Sequence, residues 1–276
     1  MQIQKNSGWR LFLQTVFGRS YPRVIGMQRE KSWLFFDLVL PLLPIAAYVF
    51  VYRAMRAPEE YVGFVVFGGA MTAFWLNVLW AMSSQLYWEK EQGNLALYIM
   101  SPASMMAILL GMAMGGLFAT SLRAFIILIV GSLLFNVQYA VVSFPQLLLV
   151  FLLAMTALYG MGMMLASVFL LLSREAWHLS NLAQEPIYLL SGFYFPIKSL
   201  NFWVAAFSSL IPLTLGLDAM RQLAFPSGAK LGFLSVEIEI AALIVLSAIF
   251  LAAARVLLAY MEKLAIREGR LTESRR

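Results

Sequence analysis

Three clusters hold nearly all the side chains in this chain that could take part in recognition or chemistry. The first is Tyr87-Trp88-Glu89-Lys90-Glu91-Gln92-Gly93-Asn94-Leu95, closed by Ser101-Pro102. Acidic residues precede a glycine, an apolar turn or two follows, and Ser-Pro stops the segment. Charged and apolar groups side by side on a compact, proline-terminated knob suit docking into a groove on a soluble partner. The same residues would also serve as a plain connector between two helices. The second cluster starts at Leu190-Ser191-Gly192-Phe193-Tyr194-Phe195-Pro196, passes Ile211-Pro212-Leu213-Thr214 and ends at Asp218-Ala219-Met220-Arg221. Here a hydrophobic segment halts at Gly192 and Pro196, tries to re-enter, stops at Pro212, and carries Asp218 and Arg221 before the next apolar run. A broken element at membrane depth needs protein or a wet cavity around it. The third cluster is Arg123 and Glu185, which stand inside apolar runs, where an ionisable group is a functional candidate or a structural charge that fixes packing.

Several chemistries are excluded by absence. There is no Gly-x-x-x-x-Gly-Lys-[Ser/Thr] phosphate loop, no His-Glu-x-x-His and no Gly-x-Ser-x-Gly. With 0 cysteines, disulfides, thiol catalysis and thiolate metal sites are out. The single histidine, His178, sits beside Arg174 and Glu175 in a short polar stretch and is read as a solvated residue. No catalytic residue, no metal ligand, no bound cofactor and no nucleic-acid partner are therefore expected. Any ATP chemistry, with its magnesium, must belong to a partner.

The elements that would position these clusters follow from composition. Hydrophobic residues make up 62% of the 276, and charged residues only 12%, far from the roughly 45–50% apolar content of soluble domains. The apolar runs are continuous over windows of about 20 residues, so helices rather than a barrel cross the bilayer. Six spans are expected: Trp33–Tyr52, Tyr61–Ser84, Met105–Phe135, Phe144–Leu172, Leu179–Phe195 and Val236–Ala259. An even number puts both termini on one side. Lys5, Arg10, Arg19, Arg23, Arg29 and Lys31 at one end, and Lys263, Arg267, Arg270, Arg275 and Arg276 at the other, make that side cytoplasmic. Gln85–Ser104 is then inside and Pro196–Ser235 outside. The chain reads as one domain, with residues 1–32 forming a cytoplasmic amphipathic helix, 33–259 the bundle and 260–276 a basic tail. Trp9, Phe12, Leu13, Val16 and Phe17 give that first helix an apolar stripe for the inner leaflet, with its arginines toward anionic headgroups.

Depth arithmetic separates the two intramembrane charges. At 1.5 Å per residue Arg123 lies about 27 Å beyond the inner start of its span, and Glu185 about 9 Å into its own. They are not expected to pair. Arg123 is expected to reach the outer headgroups or an acceptor in the bundle. Glu185, just before the helix-kinking Pro186, is expected to face a hydrated inner vestibule. Gly111, Gly115 and Ala119 share one helix face, as do Gly162 and Ala166, and are read as close-packing surfaces.

Taken together, the motifs resemble a known family. Glu89-Lys90-Glu91-Gln92-Gly93-Asn94-Leu95 with Ser101-Pro102 is similar to the Glu-x-Glu-x-Gly-Thr-Leu…Pro element of type-two ABC exporter permeases. Ser191-Gly192-Phe193-Tyr194-Phe195-Pro196, Trp203, Pro212-Leu213-Thr214 and Asp218-Ala219-Met220-Arg221 resemble that family's Ser-Gly-x-x-Phe-Pro…Trp…Pro-Leu-Thr…Asp-Ala-x-Arg signature. The resemblance implies an all-α membrane fold of six spans, with an interfacial N-terminal helix and short re-entrant helices between spans five and six. It implies a half-transporter in the inner membrane that pairs with a second permease, a homodimer being favoured over a heterodimer, and with two ATP-binding cassette subunits. By the same resemblance Glu89, Glu91, Gly93, Leu95, Ser101 and Pro102 belong to the coupling element. Gly192, Phe195, Pro196, Trp203, Pro212, Asp218 and Arg221 would form an outer cap. Asn201-Phe202-Trp203 lacks the proline the family often has before its Trp. Tyr21-Pro22-Arg23…Ile25-Gly26…Trp33 only weakly echoes the pattern of polysaccharide exporters, so a drug-like, lipid or glycolipid cargo is expected. Polysaccharide export and a stand-alone ion-coupled carrier are the alternatives.

Overall fold

The computed structural model describes residues 8–29, 31–172, 175–226 and 228–268, and these contain helices and turns but no strand. The order is α1 (Trp9–Arg29), α2 (Lys31–Ala54), α3 (Glu60–Leu76), a π-helical turn (Asn77–Met82), α4 (Gln85–Glu91) and α5 (Asn94–Met100). There follow α6 (Met105–Phe135), α7 (Phe144–Leu172), α8 (Glu175–Leu190), a 3-10 turn (Ile197–Ser199), α9 (Phe202–Ser208), α10 (Pro212–Ala224), α11 (Gly228–Leu231) and α12 (Val236–Glu268).

Among the described residues five helices are long and apolar enough to cross a membrane, and α9 with α10 forms a pair bent by 108°. The bend sits where sequence placed the broken element. Pro212 opens α10 at a position where its missing N–H costs nothing, while Asn201 caps α9 by accepting from the Trp203 N–H at 3.0 Å. The fifth expected span is corrected. It was to run to Phe195, but α8 ends at Leu190 because Gly192 turns left-handed at φ +69°. Sixteen residues rise about 24 Å, short of the roughly 30 Å hydrocarbon core. The sixth span is longer than expected, its helix continuing to Glu268.

α3 is the axis of the bundle. Of its most apolar stretch, 89% is enclosed by the rest of the chain, against 11% for α2 and 17% for α12. Lipid tails are as apolar as leucine, so helices meet through small residues rather than by hydrophobic collapse. A Cβ on Gly69 would stand 2.3 Å from Ile45 of α2, and one on Gly68 would overlap the Phe193 carbonyl. The α3 helix, the π turn and α4 form one continuous stretch of 32 residues, Glu60–Glu91. Together with α6 at 31 residues, it rises about 45 Å or more and overshoots the hydrocarbon.

α1 uses that overshoot. Its Val16 and Ser20 carbonyls lie where Cβ atoms on Gly111 and Gly115 of α6 would be, at 2.6 and 2.7 Å. The small-residue face read from sequence is thus the seat of α1, and Gly162 seats the π turn through Val78 and Met82. The expected stripe of α1 divides: Val16 is buried on α6, while Trp9, Leu13, Phe17 and Tyr21 form an exposed apolar row.

Candidate functional site

At one end of the bundle, α4 and α5 make a small bracket hinged on Gly93, whose φ of +78° only glycine adopts without strain. Its two faces differ. Leu95 is 2% exposed and packs with Leu86 against Met105, Leu170, Leu258 and Met261. On the other face Glu91, Gln92 and Gly93 are open, Trp88 is exposed, and Leu97 and Met100 are 64% and 68% exposed. Ser101 turns the chain by accepting from the Ala103 N–H at 3.0 Å, Pro102 is exposed, and Ser104 caps α6 by accepting from the Ala107 N–H at 3.2 Å.

Glu89 lies inside. It is 6% exposed and accepts from Arg19 at 3.2 Å, Gln85 at 2.9 Å and Asn94 at 3.0 Å. Arg19 also donates to the Tyr98 hydroxyl and stacks over its ring at 4.7 Å. Burial pushes the Tyr98 phenol up to about 12, reinforced by its hydrogen bond to Glu89 and opposed by Arg19. Arg23 donates to Gln85. The expectation that Arg19 and Arg23 face headgroups is therefore corrected. Glu89 takes Arg19 directly, and Gln85, itself bonded to Glu89, takes Arg23; the result is a charge-assisted brace joining α1, α4 and α5.

At the opposite end Arg221, 2% exposed, spreads its guanidinium over four backbone carbonyls: Gly192 at 2.6 Å, Phe193 at 2.6 Å, Phe64 at 2.7 Å and Phe195 at 3.2 Å. The planar fork suits this task, since the carbonyls beyond the last turn of α8 have no helical donor. Phe64 adds its ring face at 5.2 Å. Asp218 turns to other partners, accepting from the Phe233 N–H at 2.7 Å and from Gln222 at 3.3 Å. Gln222 also reaches the buried Glu239 at 3.2 Å. Arg221 thus fastens α10 to α3 and the end of α8, Asp218 fastens it to the segment leading into α12, and Gln222 to the first turn of α12. Pro196 is buried and begins the 3-10 turn, whereas Trp203 is 78% exposed on α9.

Arg123 pairs with Asp37 of α2. Arg53 of α2 reaches the Phe135 carbonyl at the far end of α6 at 3.1 Å, so α2 and the second half of α6 run side by side. From those anchors Arg123 is twelve residues down and Asp37 sixteen, about 18–24 Å. Of the two expectations for Arg123, outer headgroups or an acceptor in the bundle, the structure shows the second: Asp37 of α2 holds it about 18 Å from the Phe135 end of α6. Glu185 is exposed on α8, and its neighbour Gln184 makes the contact to the π turn by accepting from Trp80 at 2.6 Å.

Sequence reasoning missed Asp37 and Glu239. Both lie within a turn or two of a span's start, where a carboxylate reads as interfacial. The rule that singled out Arg123 would have found them if applied to every acid inside a helical run. Among the described residues no group of three or more His, Cys, Asp or Glu side chains is placed to hold a metal.

The family model described as ABC-2 type transporter matches residues 9–225, more than half of the chain and including both ends of the bundle. No curated protein matches it.

Proposed function

The chain belongs to the ABC-2 type transporter family; it is a multi-pass membrane permease, and we propose that it forms half of an ATP-driven exporter of amphiphilic cargo. Two ATP-binding cassette subunits dock on α4–α5 from the cytoplasm, where both termini lie, and supply the ATP and magnesium chemistry. A second copy of the permease completes the path in the inner membrane. The uncovered apolar side chains of α2, Leu182 and Leu189 of α8, and Phe202 and Trp203 of α9 support such a partner or a lipid surround.

The observation that carries this reading is the division of labour on the bracket. Glu91, Gly93, Leu97, Met100 and Pro102 offer an open acidic and apolar surface, while Glu89 and Leu95 fasten its back to α1 and the bundle. In this reading Glu89 holds the coupling element rather than touching the ATPase. Displacement of the bracket passes along Glu60–Glu91 to Phe64 and Gly68, where Arg221 clamps the cap, so both ends move as parts of one lever.

The test is a Leu97→Glu, Met100→Glu double substitution. Both side chains are exposed, so the permease should keep its thermal-unfolding midpoint in detergent. It should lose most co-purifying ATPase and at least about tenfold in ATP-driven export, a loss of roughly 1.4 kcal/mol or more in docking. An intact complex with full export, or export by the chain with no ATPase present, overturns the proposal.

A further inference from the structure

A cavity of about 590 Å³ opens between α2, α6 and the π turn, with Gly26 of α1 at its edge. Its size falls within the range of small-molecule sites, roughly 300–1,000 Å³, and is too large for a packing void. Its wall is divided. Phe36, Leu40 and Leu76 give an apolar side, and Asp37, Arg123 and Asn77 a polar one. Pro41, also in the wall, lacks the N–H that would have bonded the Asp37 carbonyl.

Among the described residues, charge does not balance around it. Arg19 is matched by Glu89 and Arg123 by Asp37. Arg23 has the amide of Gln85 for a partner, and its Nε is buried with no hydrogen bond. A Cβ on Gly116 would lie 2.8 Å from Asn77 Oδ1 and 3.7 Å from Arg23 Nε, so Arg23 stands beside a residue of the cavity wall. Glu89 attracts Arg23 as well as Arg19, so among the described residues of this region three guanidiniums, Arg19, Arg23 and Arg123, share the two carboxylates Glu89 and Asp37, and an anion entering here would balance the remaining charge. The wall also includes Asn77 and Trp80 of the π turn, a backbone irregularity that marks functional sites more often than chance. Ser83 and Ser84 alone separate that turn from α4.

We propose that this cavity binds an acidic amphiphile, its anionic group held between Arg123 and Arg23 and its hydrocarbon tail along Phe36 and Leu40. Calling that amphiphile cargo rests on the exporter reading; the binding itself does not. Occupancy bears on the π turn and therefore on the angle at which α4 leaves α3, which links a filled site to the docking bracket.

Trp80 reports on the site. The purified full chain is placed in phosphatidylcholine nanodiscs doped with phosphatidylglycerol or phosphatidylcholine brominated on the acyl chains. The quenching owed to Trp80 is read as the difference from a Trp80→Phe variant. The expected result is half-maximal quenching at a several-fold lower mole fraction of the acidic lipid than of the neutral one. That preference should vanish in Arg123→Gln and in Arg23→Gln, and be partly kept in Arg123→Lys. Arg23→Gln leaves the Arg123–Asp37 pair whole, so it decides the matter if Arg123→Gln unfolds. Equal quenching by the two lipids in the unaltered chain overturns the proposal, as does a preference unchanged in Arg23→Gln. Glycerol 3-phosphate separates the sources: failure to displace the brominated lipid supports an amphiphile, and displacement at low millimolar levels overturns it in favour of a soluble phosphate. Acidic-lipid preference without any ATP-driven export would sink the exporter reading and leave the site standing, and the reverse outcome would do the opposite.

Discussion

Arg221 is the residue whose loss the cap can least absorb. Four carbonyls depend on its two terminal nitrogens, and an orphaned buried acceptor costs about 1–3 kcal/mol. Arg221→Ala is therefore expected to cost upward of about 3 kcal/mol. Arg221→Lys, which keeps the charge but loses the fork, should cost roughly 1–3. The folded fraction surviving a heating series in detergent, read by size-exclusion chromatography, checks both; equal survival of Arg221→Ala and the unaltered chain would refute the clamp. Asp218 and Arg221 were legible in sequence as charges next to a broken element. Their partners were not, because backbone carbonyls are supplied by the turn geometry and leave no mark on residue type. Glu89 shows the same limit from the other side. Its place in the knob was readable, but whether it faced outward or inward depended on Arg19, seventy positions away.

At the scale of elements, the seat of α1 on α6 is the most exacting contact. Ser20 and Val16 approach α6 by backbone, so a side chain on Gly115 meets a carbonyl that has nowhere to retreat except by moving the helix. Gly115→Leu is expected to cost about 1–3 kcal/mol by overpacking and to separate Arg19 from Glu89. Its signature is weakened ATPase co-purification from a substitution that lies outside the docking surface; unchanged co-purification would show that α1 does not hold the bracket. The stripe of Gly111, Gly115 and Ala119 announced close packing but could not name the neighbour, since small residues fit any backbone. The short α8 was misjudged because apolarity continues through Phe193, Tyr194 and Phe195, and only the left-handed turn at Gly192 ends the helix. The π turn had no sequence signature at all: Asn77–Met82 is apolar and helix-compatible, and its wider winding comes from packing between α6 and α7.

Across the whole molecule, one uninterrupted stretch connects the bracket with the cap, and the enclosure of α3 keeps it from bending on its own. The winding of the π turn therefore fixes the bearing of α4 relative to Phe64 and Gly68. Deleting Val78 and Leu79 together should close the turn into ordinary α-helix, which absorbs one residue, while loss of the second swings α4 by about 100° around the axis. The expected result is a folded, membrane-inserted protein whose ATP-driven export is lost. Retained export would mean that the two ends are not mechanically joined through α3. The all-helical, multi-span plan and the interrupted segment at α9–α10 were readable from composition and Pro/Gly placement. The central position of α3 was not, because every span is apolar and hydropathy alone does not rank them.

The Arg221 clamp also sets an order of assembly. Its carbonyl partners near Phe64 and Gly192–Phe195 emerge from the ribosome well before the guanidinium does. Placing an arginine in hydrocarbon costs about 2.5–3.5 kcal/mol, so α10 finds a stable berth only after α3 and the end of α8 have already come together. Nascent chains stopped short of Arg221 would hold an unlatched rim, and membrane quality control would have a defined window in which to recognise them.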